Sequence, residues 1–249
     1  TEGVHSGSAS GIVPSSFRVL RQLLSRLEDE NSGKVILDDL IVNIPKRRIE
    51  DVETMVDALG GELDQFPWYE SMNSTTDDPV KGTLRQTWEP ALSVVGMNGV
   101  PAVQDGGNVL RPYTEVKLSM RIPPTLDKEI AVKAMQKVLS ENPPYDSSVR
   151  VEFDEPATGW NAPDLDPWLD SAIQEASHAY FKKPALSMGE GGTIPFMAML
   201  GEKFPKAQFV ITGILGPQSN AHGPNEFIHI PYAKKLTASI ASIIQQFPK

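Results

Sequence analysis

Apolar residues at Val13, Phe17, Leu20, Leu24 and Leu27 recur at intervals of three and four, the spacing that lines one face of an α-helix. Pro14 suits a first helical turn, so this stripe predicts a helix from about Pro14 to just before Asn31-Ser32-Gly33. The apolar, β-branched run Val35 to Ile44 predicts a strand ending at Pro45, and Asp51 to Leu59 a short helix closed by Gly60-Gly61. From Leu63 to Gln104 the pattern is broken by Pro and Gly, which predicts loops, a short helix and one strand near Ala91 to Val95. Val116, Leu118 and Met120 then alternate with Glu115, Lys117, Ser119 and Arg121. Such alternation predicts a strand with one face on a core and puts Arg121 on its polar face. A helix from about Asp127 to Ser140 and a strand through Val149, Val151 and Phe153 complete a predicted α+β sandwich.

The acid- and proline-rich stretch Asp154 to Asp166 breaks every period and marks a domain crossing. Two domains are therefore expected, 1–155 and 156–249. In the second, Leu165, Trp168, Leu169, Ala172, Ile173 and Ala176 predict a helix to about Tyr180, Ala185 to Met188 a short strand, and Ile194 to Leu200 a helix. Ala207 to Ile214 is almost continuously apolar, as in a strand buried on both faces of a parallel sheet. A last helix opens at Pro231, with Ala233, Leu236, Ile240, Ile243 and Phe247 on one side. Sheets of α/β domains usually hold about five or six strands. This segment offers only two, so the others are expected in sequence not present here or in another chain. The start at Thr1, close to a candidate functional histidine, favours the first.

Composition narrows the function classes. The 249 residues are 40% hydrophobic and 22% charged, enough for an ordinary core. A formal net charge of -9 without a Lys/Arg run argues against nucleic-acid binding. The absence of cysteine excludes disulfides and thiolate metal sites. No apolar stretch approaches the roughly 20 residues of a membrane span, and the first ten residues lack a leader pattern. A soluble, cytoplasmic protein is expected.

Candidate chemistry gathers in Gly216-Pro217-Gln218-Ser219-Asn220-Ala221-His222-Gly223-Pro224-Asn225-Glu226-Phe227, a turn-rich loop between the predicted strand and the last helix. A loop rooted on a buried strand can aim its imidazole at a metal or substrate; the alternative is a surface or turn-capping histidine. A catalytic zinc takes about three His, Asp or Glu ligands, and the four histidines form no closely spaced pair. His222 and His229 are seven apart with Pro224 between them, a spacing that does not encourage shared ligation, and His178 reads as structural. Glu190-Gly191-Gly192-Thr193-Ile194-Pro195 is either an anion-binding turn at a helix N-terminus or a tight turn capped by Thr193. Arg121 is either a carboxylate clamp or a solvent ion pair. His5, in Gly3-Val4-His5-Ser6-Gly7, is either an oxyanion donor or part of a frayed terminus. Dinucleotide, Walker A and Gly-x-Ser-x-Gly patterns are absent.

His5-Ser6-Gly7, Gly107-Asn108-Val109-Leu110, Leu118-Ser119-Met120-Arg121, Glu190-Gly191-Gly192-Thr193-Ile194-Pro195 and Gly216-Pro217 through His222 to Asn225-Glu226, taken in order, resemble the di-zinc metallopeptidase family of carnosine dipeptidases. Aminoacylases, desuccinylases and glutamate carboxypeptidases are related. The resemblance implies an α+β lid that also makes a homodimer, followed by the C-terminal part of an α/β catalytic domain. The remaining metal ligands and the general base would lie upstream. His222 would bind one zinc, His5 would reach the partner's active site as the catalytic oxyanion donor, and Arg121, Asn108, Glu190, Gly192 and Thr193 would contact substrate. Implied are a hydrolase, a protease of the dipeptidase or carboxypeptidase type, and two zinc ions per complete site, with manganese the alternative metal. The chain alone would be inactive. An N-acyl amino-acid deacylase and a non-catalytic dimerisation module are the rival functions. Gly189 and Gly3-Val4 depart from the Arg and Asp-Leu of the family's carnosine dipeptidases, which bears on dipeptide preference.

Overall fold

Ser15, Asp78 and Asp127 each precede a helix and accept hydrogen bonds from its first amides, the function of a side-chain N-cap. The computed structural model describes residues 2–61, 63, 66–191, 195–216 and 218–248. They divide into two units, one formed by Thr1–Trp160 with Met188–Ala198, the other by Asn161–Ser187 with Met199–Lys249. In chain order the first holds β1 (Val4–His5), α1 (Ser6–Ala9), α2 (Ser16–Leu24), β2 (Glu28–Asp29), β3 (Lys34–Val35), α3 (Lys46–Leu59), α4 (Pro79–Thr87), β4 (Ala91–Asn98), β5 (Val109–Leu110), β6 (Glu115–Arg121) and α5 (Lys128–Ser140). β1 pairs with β5, β2 with β3 and β4 with β6, all antiparallel.

The core of this unit lies between the β4–β6 sheet and helices α2 and α5. Leu92 faces Met120 and Val94 faces Leu118 across the ladder. Leu92, Leu118 and Met120 pack against Leu23, Leu27, Met135 and Leu139, and Leu40, Leu126, Ala131 and Ala134 extend the cluster. Beyond Val94 the register slips by one residue, leaving Val95 as a bulge before Gly96 meets Lys117. Arg26 ties the two helices together. Its Nη1 donates to the carbonyls of Val138 (3.0 Å) and Glu141 (2.8 Å) and its Nη2 to that of Asn142 (2.6 Å), satisfying acceptors at the end of α5.

Two predicted strands of this unit are corrected. Val35 to Ile44 keeps only β3, and a 3₁₀ turn at Asp38–Leu40 follows. The turn buries Leu40 completely while Asp38 and Asp39 stay exposed, a burial order that an alternating strand cannot produce. Val149 and Val151 do face the core, yet they form no strand because their backbone pairs with no neighbour. This segment is held instead by side-chain packing and by Lys117 Nζ on Asp154, at 2.8 Å. The lysine lowers the Asp154 pKa through a hydrogen bond and charge, and Asp154 raises that of Lys117.

The second unit contains α6 (Pro167–Phe181) and α8 (Ile230–Gln245); α7 (Pro195–Lys203) crosses the division in sequence. Leu169, Ala172 and Ala176 of α6 meet Ile243 of α8, and Tyr180 Oη lies 3.0 Å from Ser242 Oγ. The predicted strands Ala185 to Met188 and Ala207 to Ile214 are not formed. Val210, Ile211 and Ile214 are 40%, 56% and 44% exposed. The composition of a doubly buried strand is there, but the segment takes up no ladder as a strand, and a strand exists only within a ladder.

Leu27 has no exposed surface, so Leu27→Ala should lower unfolding free energy by about 2 to 5 kcal/mol. The exposed Ile12→Ala should change it by less than about 0.5 kcal/mol. Urea melts of the two variants check both; equal midpoints would contradict this placement of the core.

Candidate active site

The loop that carries His222 is braced by its own polar groups. Gly216 N–H donates to Ser219 Oγ (3.0 Å), Asn220 Nδ2 to the Pro224 carbonyl (2.6 Å), and Phe227 N–H to the Ser219 carbonyl (3.2 Å). The last bond ties the two ends of the tip together, and Ser219 is buried at their base. Gln218, Asn220, His222 and Asn225 all have φ between 54° and 63°, the left-handed region that L-residues occupy at a steric cost. Glu226 Oε2 accepts the His222 N–H at 3.1 Å, which holds that conformation. A Cβ at Gly223 would come within 2.6 Å of Asn220 Nδ2, so glycine is required there. The His222 side chain is exposed.

Loop and exposure together leave one imidazole open to solvent. Among the described residues, no group of three or more His, Asp or Glu side chains converges as a metal site. The donor set therefore fits one arm of a catalytic metal centre and not the whole. His229 is committed elsewhere: its Nδ1 accepts the Tyr232 N–H at 3.2 Å and caps α8. His178 lies on α6, where its carbonyl accepts the Lys182 N–H.

His5 and Asn108 are brought together by the β1–β5 pair. His5 faces Val109, and the Ser6 N–H donates to the Asn108 carbonyl at 2.9 Å. His5 Nδ1 accepts the Gly7 N–H at 3.1 Å, an approach that a side chain at Gly7 would obstruct, since its Cβ would sit 2.9 Å from His5 Cε1. An accepting Nδ1 leaves the proton of the neutral ring on Nε2. The exposed imidazole thus offers an N–H outward.

Arg121 ends β6 opposite Ala91, is exposed, and forms no ion pair among the described residues. Glu190 is exposed too; Gly192 and Thr193 lie outside the described residues. The neighbours of Glu190 rest on α4: a Cβ at Gly189 would be 3.1 Å from Thr87 Cγ2, and one at Gly191 would be 3.1 Å from Gln86 Cγ. Gln86 and Thr87 were missed in the sequence, and Glu226 was named within the His222 loop without a role of its own. A Gly-x-Gly spacing without a need for positive φ was the available signal for the first two.

Residues 2–147 match the peptidase dimerisation domain of the M20 peptidases. The chain is 25% identical over 247 residues to a cysteinylglycine-S-conjugate dipeptidase of Corynebacterium striatum, covering 93% of this chain and 50% of that protein. Human carnosine dipeptidase 1 superposes with a TM-score of 0.67 at 19% identity, over 98% of this chain and 52% of that one. The M20 metallo-carboxypeptidase Sso-CP2 of Sulfolobus solfataricus superposes with a TM-score of 0.69 at 20% identity, over 99% and 55%. The fold is shared, and the chain spans about half the length of the curated relatives it matches.

Imidazole ¹⁵N–¹H correlation spectra at alkaline pH should show His5 as the Nε2–H tautomer. An Nδ1–H signal would contradict the Gly7-to-His5 hydrogen bond.

Proposed function

Because this chain belongs to the M20 peptidase dimerisation-domain family, we propose that residues 1–155 serve as the lid and dimerisation domain of a metal-dependent peptidase. Residues 156–249 are then the C-terminal part of its catalytic domain, and the substrate is a dipeptide or short peptide. The observation that carries this reading is His222, an exposed imidazole on a braced loop that follows a half-exposed apolar segment. Val210, Ile211, Ile214 and Leu215 are the surface that further strands of a catalytic sheet would cover. The relatives' names support dipeptide cleavage.

His222 holds one ion of a metal pair, zinc or manganese, whose other ligands come from sequence outside this chain. When bound, the metals supply Lewis-acid polarisation and water activation. His5 donates its Nε2–H to the oxyanion of the tetrahedral intermediate in the partner subunit's site. Arg121 grips the substrate carboxylate through its two-pronged guanidinium. Asn108 and Glu190, with Gly192 and Thr193, contact the same substrate. A glutamate outside this chain takes the proton of the attacking water.

The partner is a second copy. β4 pairs only with β6 among the described residues, so its other edge has unpaired backbone groups, and Val94, Val95 and Met97 along it are 47%, 58% and 50% exposed. An edge of that kind is a template for a further strand. The protein acts in the cytoplasm; among the described residues no helix is long and apolar enough to cross a membrane.

In the gene product that carries this chain with its upstream sequence, His222→Ala should lose one of two bound metals by elemental analysis and abolish dipeptide hydrolysis. Unchanged metal content would remove the ligand assignment. His5→Ala should cut turnover by roughly 10²- to 10³-fold at unchanged metal content. Val95→Lys should convert dimer to monomer in sedimentation velocity. A metal-free dimer without peptidase activity would leave only the dimerisation role standing.

A further inference from the structure

Met188–Ala198 groups with the first unit although the residues on both sides of it in sequence belong to the second. Its anchor is the last turn of α4. A Cβ on Gly189 would lie 3.1 Å from Thr87 Cγ2 and 3.2 Å from Thr87 Cβ, and one on Gly191 would lie 3.1 Å from both Gln86 Cγ and the Gln86 carbonyl oxygen. Neither glycine has the positive φ that would call for glycine on conformational grounds; among the described glycines only Gly11, Gly33, Gly60 and Gly99 do. What 189 and 191 supply is the lack of a side chain, so that the backbone can lie against the helix.

The surface beneath them is fixed. Thr87 Oγ1 donates to the Thr83 carbonyl at 2.7 Å, Thr83 Oγ1 donates to that of Pro79 at 2.9 Å, and both Thr83 and Trp88 are buried. Arg85 Nη1 bonds Thr75 through its carbonyl and its hydroxyl, both at 3.0 Å. The end of α4 is therefore a rigid floor under Gly189–Gly191.

We propose that Gln86 and Thr87 are positioning residues: they set the height at which the Gly189–Gly191 backbone carries Glu190, and thereby the affinity for the substrate. This rests on the substrate-binding role given above to Glu190. Neither α4 residue touches the reacting atoms. Their effect falls on ground-state binding and leaves the chemical step alone.

The contact is tested without reference to catalysis. The chain has no cysteine, so Thr87→Cys with Gly189→Cys introduces a single pair, and a Cβ separation of 3.2 Å needs only a few tenths of an ångström of relaxation to form a disulfide. Oxidation should close it, read as a shift on a non-reducing gel; a pair that stays reduced overturns the proposal. In the complete enzyme, Gly189→Ala should raise KM roughly tenfold, a displacement effect on binding, with kcat, metal content and melting temperature unchanged. Adding Thr87→Gly, which removes both the Cγ2 and the Cβ that the new methyl meets, should restore most of the lost affinity. An unchanged KM in Gly189→Ala, or no recovery in the double variant, overturns the proposal. Absence of peptidase activity in the unaltered enzyme overturns the functional reading and the positioning role with it, while the disulfide still reports the contact.

Discussion

A two-stranded antiparallel sheet does not persist in water by itself, and the whole first unit depends on how β4 and β6 are supported. The support is one-sided. Leu92, Leu118 and Met120 are covered by α2 and α5, and Arg26 locks those helices by filling carbonyls at the end of α5. Because β6 is fixed by that packing, Arg121 has a defined place at its end. Because α2 is fixed, the short run before it is set as well: Ser16 Oγ lies 2.7 Å from Thr114 Oγ1 and 3.2 Å from the Arg111 carbonyl, close in sequence to the β5 strand that holds His5.

Histidines in this chain divide by what their nitrogens are already doing. At 229 the ring caps a helix, and at 5 a ring nitrogen accepts an amide two residues on, leaving the opposite N–H to point away. At 222 the backbone makes the bonds and the ring makes none among the described residues, so the loop spends its polar groups on shape. Four left-handed residues in eight positions are an unusual concentration of local strain, and strain of this kind persists only where neighbouring contacts enforce it.

Helices were legible in the sequence because their information is local. The stripe from Phe17 to Leu24, the Asp127 cap and the Leu169-Ala172-Ala176 face each describe a helix without reference to anything distant. The alternation from Val116 to Met120 also read correctly, since one face of β6 is covered. Strands were less legible. Val149 to Phe153 and Ala207 to Ile214 have the right residues, but pairing is a property of two segments and a pattern describes only one. The same limit applies to the site. His5 and Asn108 were both recognisable, and their adjacency depends on a register that joins residues more than a hundred positions apart. Gly191 drew notice as a turn former and Gly189 as a departure from the family's Arg, although their closeness to Gln86 and Thr87 shows that both are sites of close approach.

The single-residue slip at Val95 also bears on what this border would do with a stray chain. An uninterrupted, flat apolar border accepts incoming chains at several offsets and can keep lengthening. One surplus residue adds local twist and removes the equivalence between offsets. A half-exposed valine row is thereby a poorer seed for fibres than a straight one of the same composition.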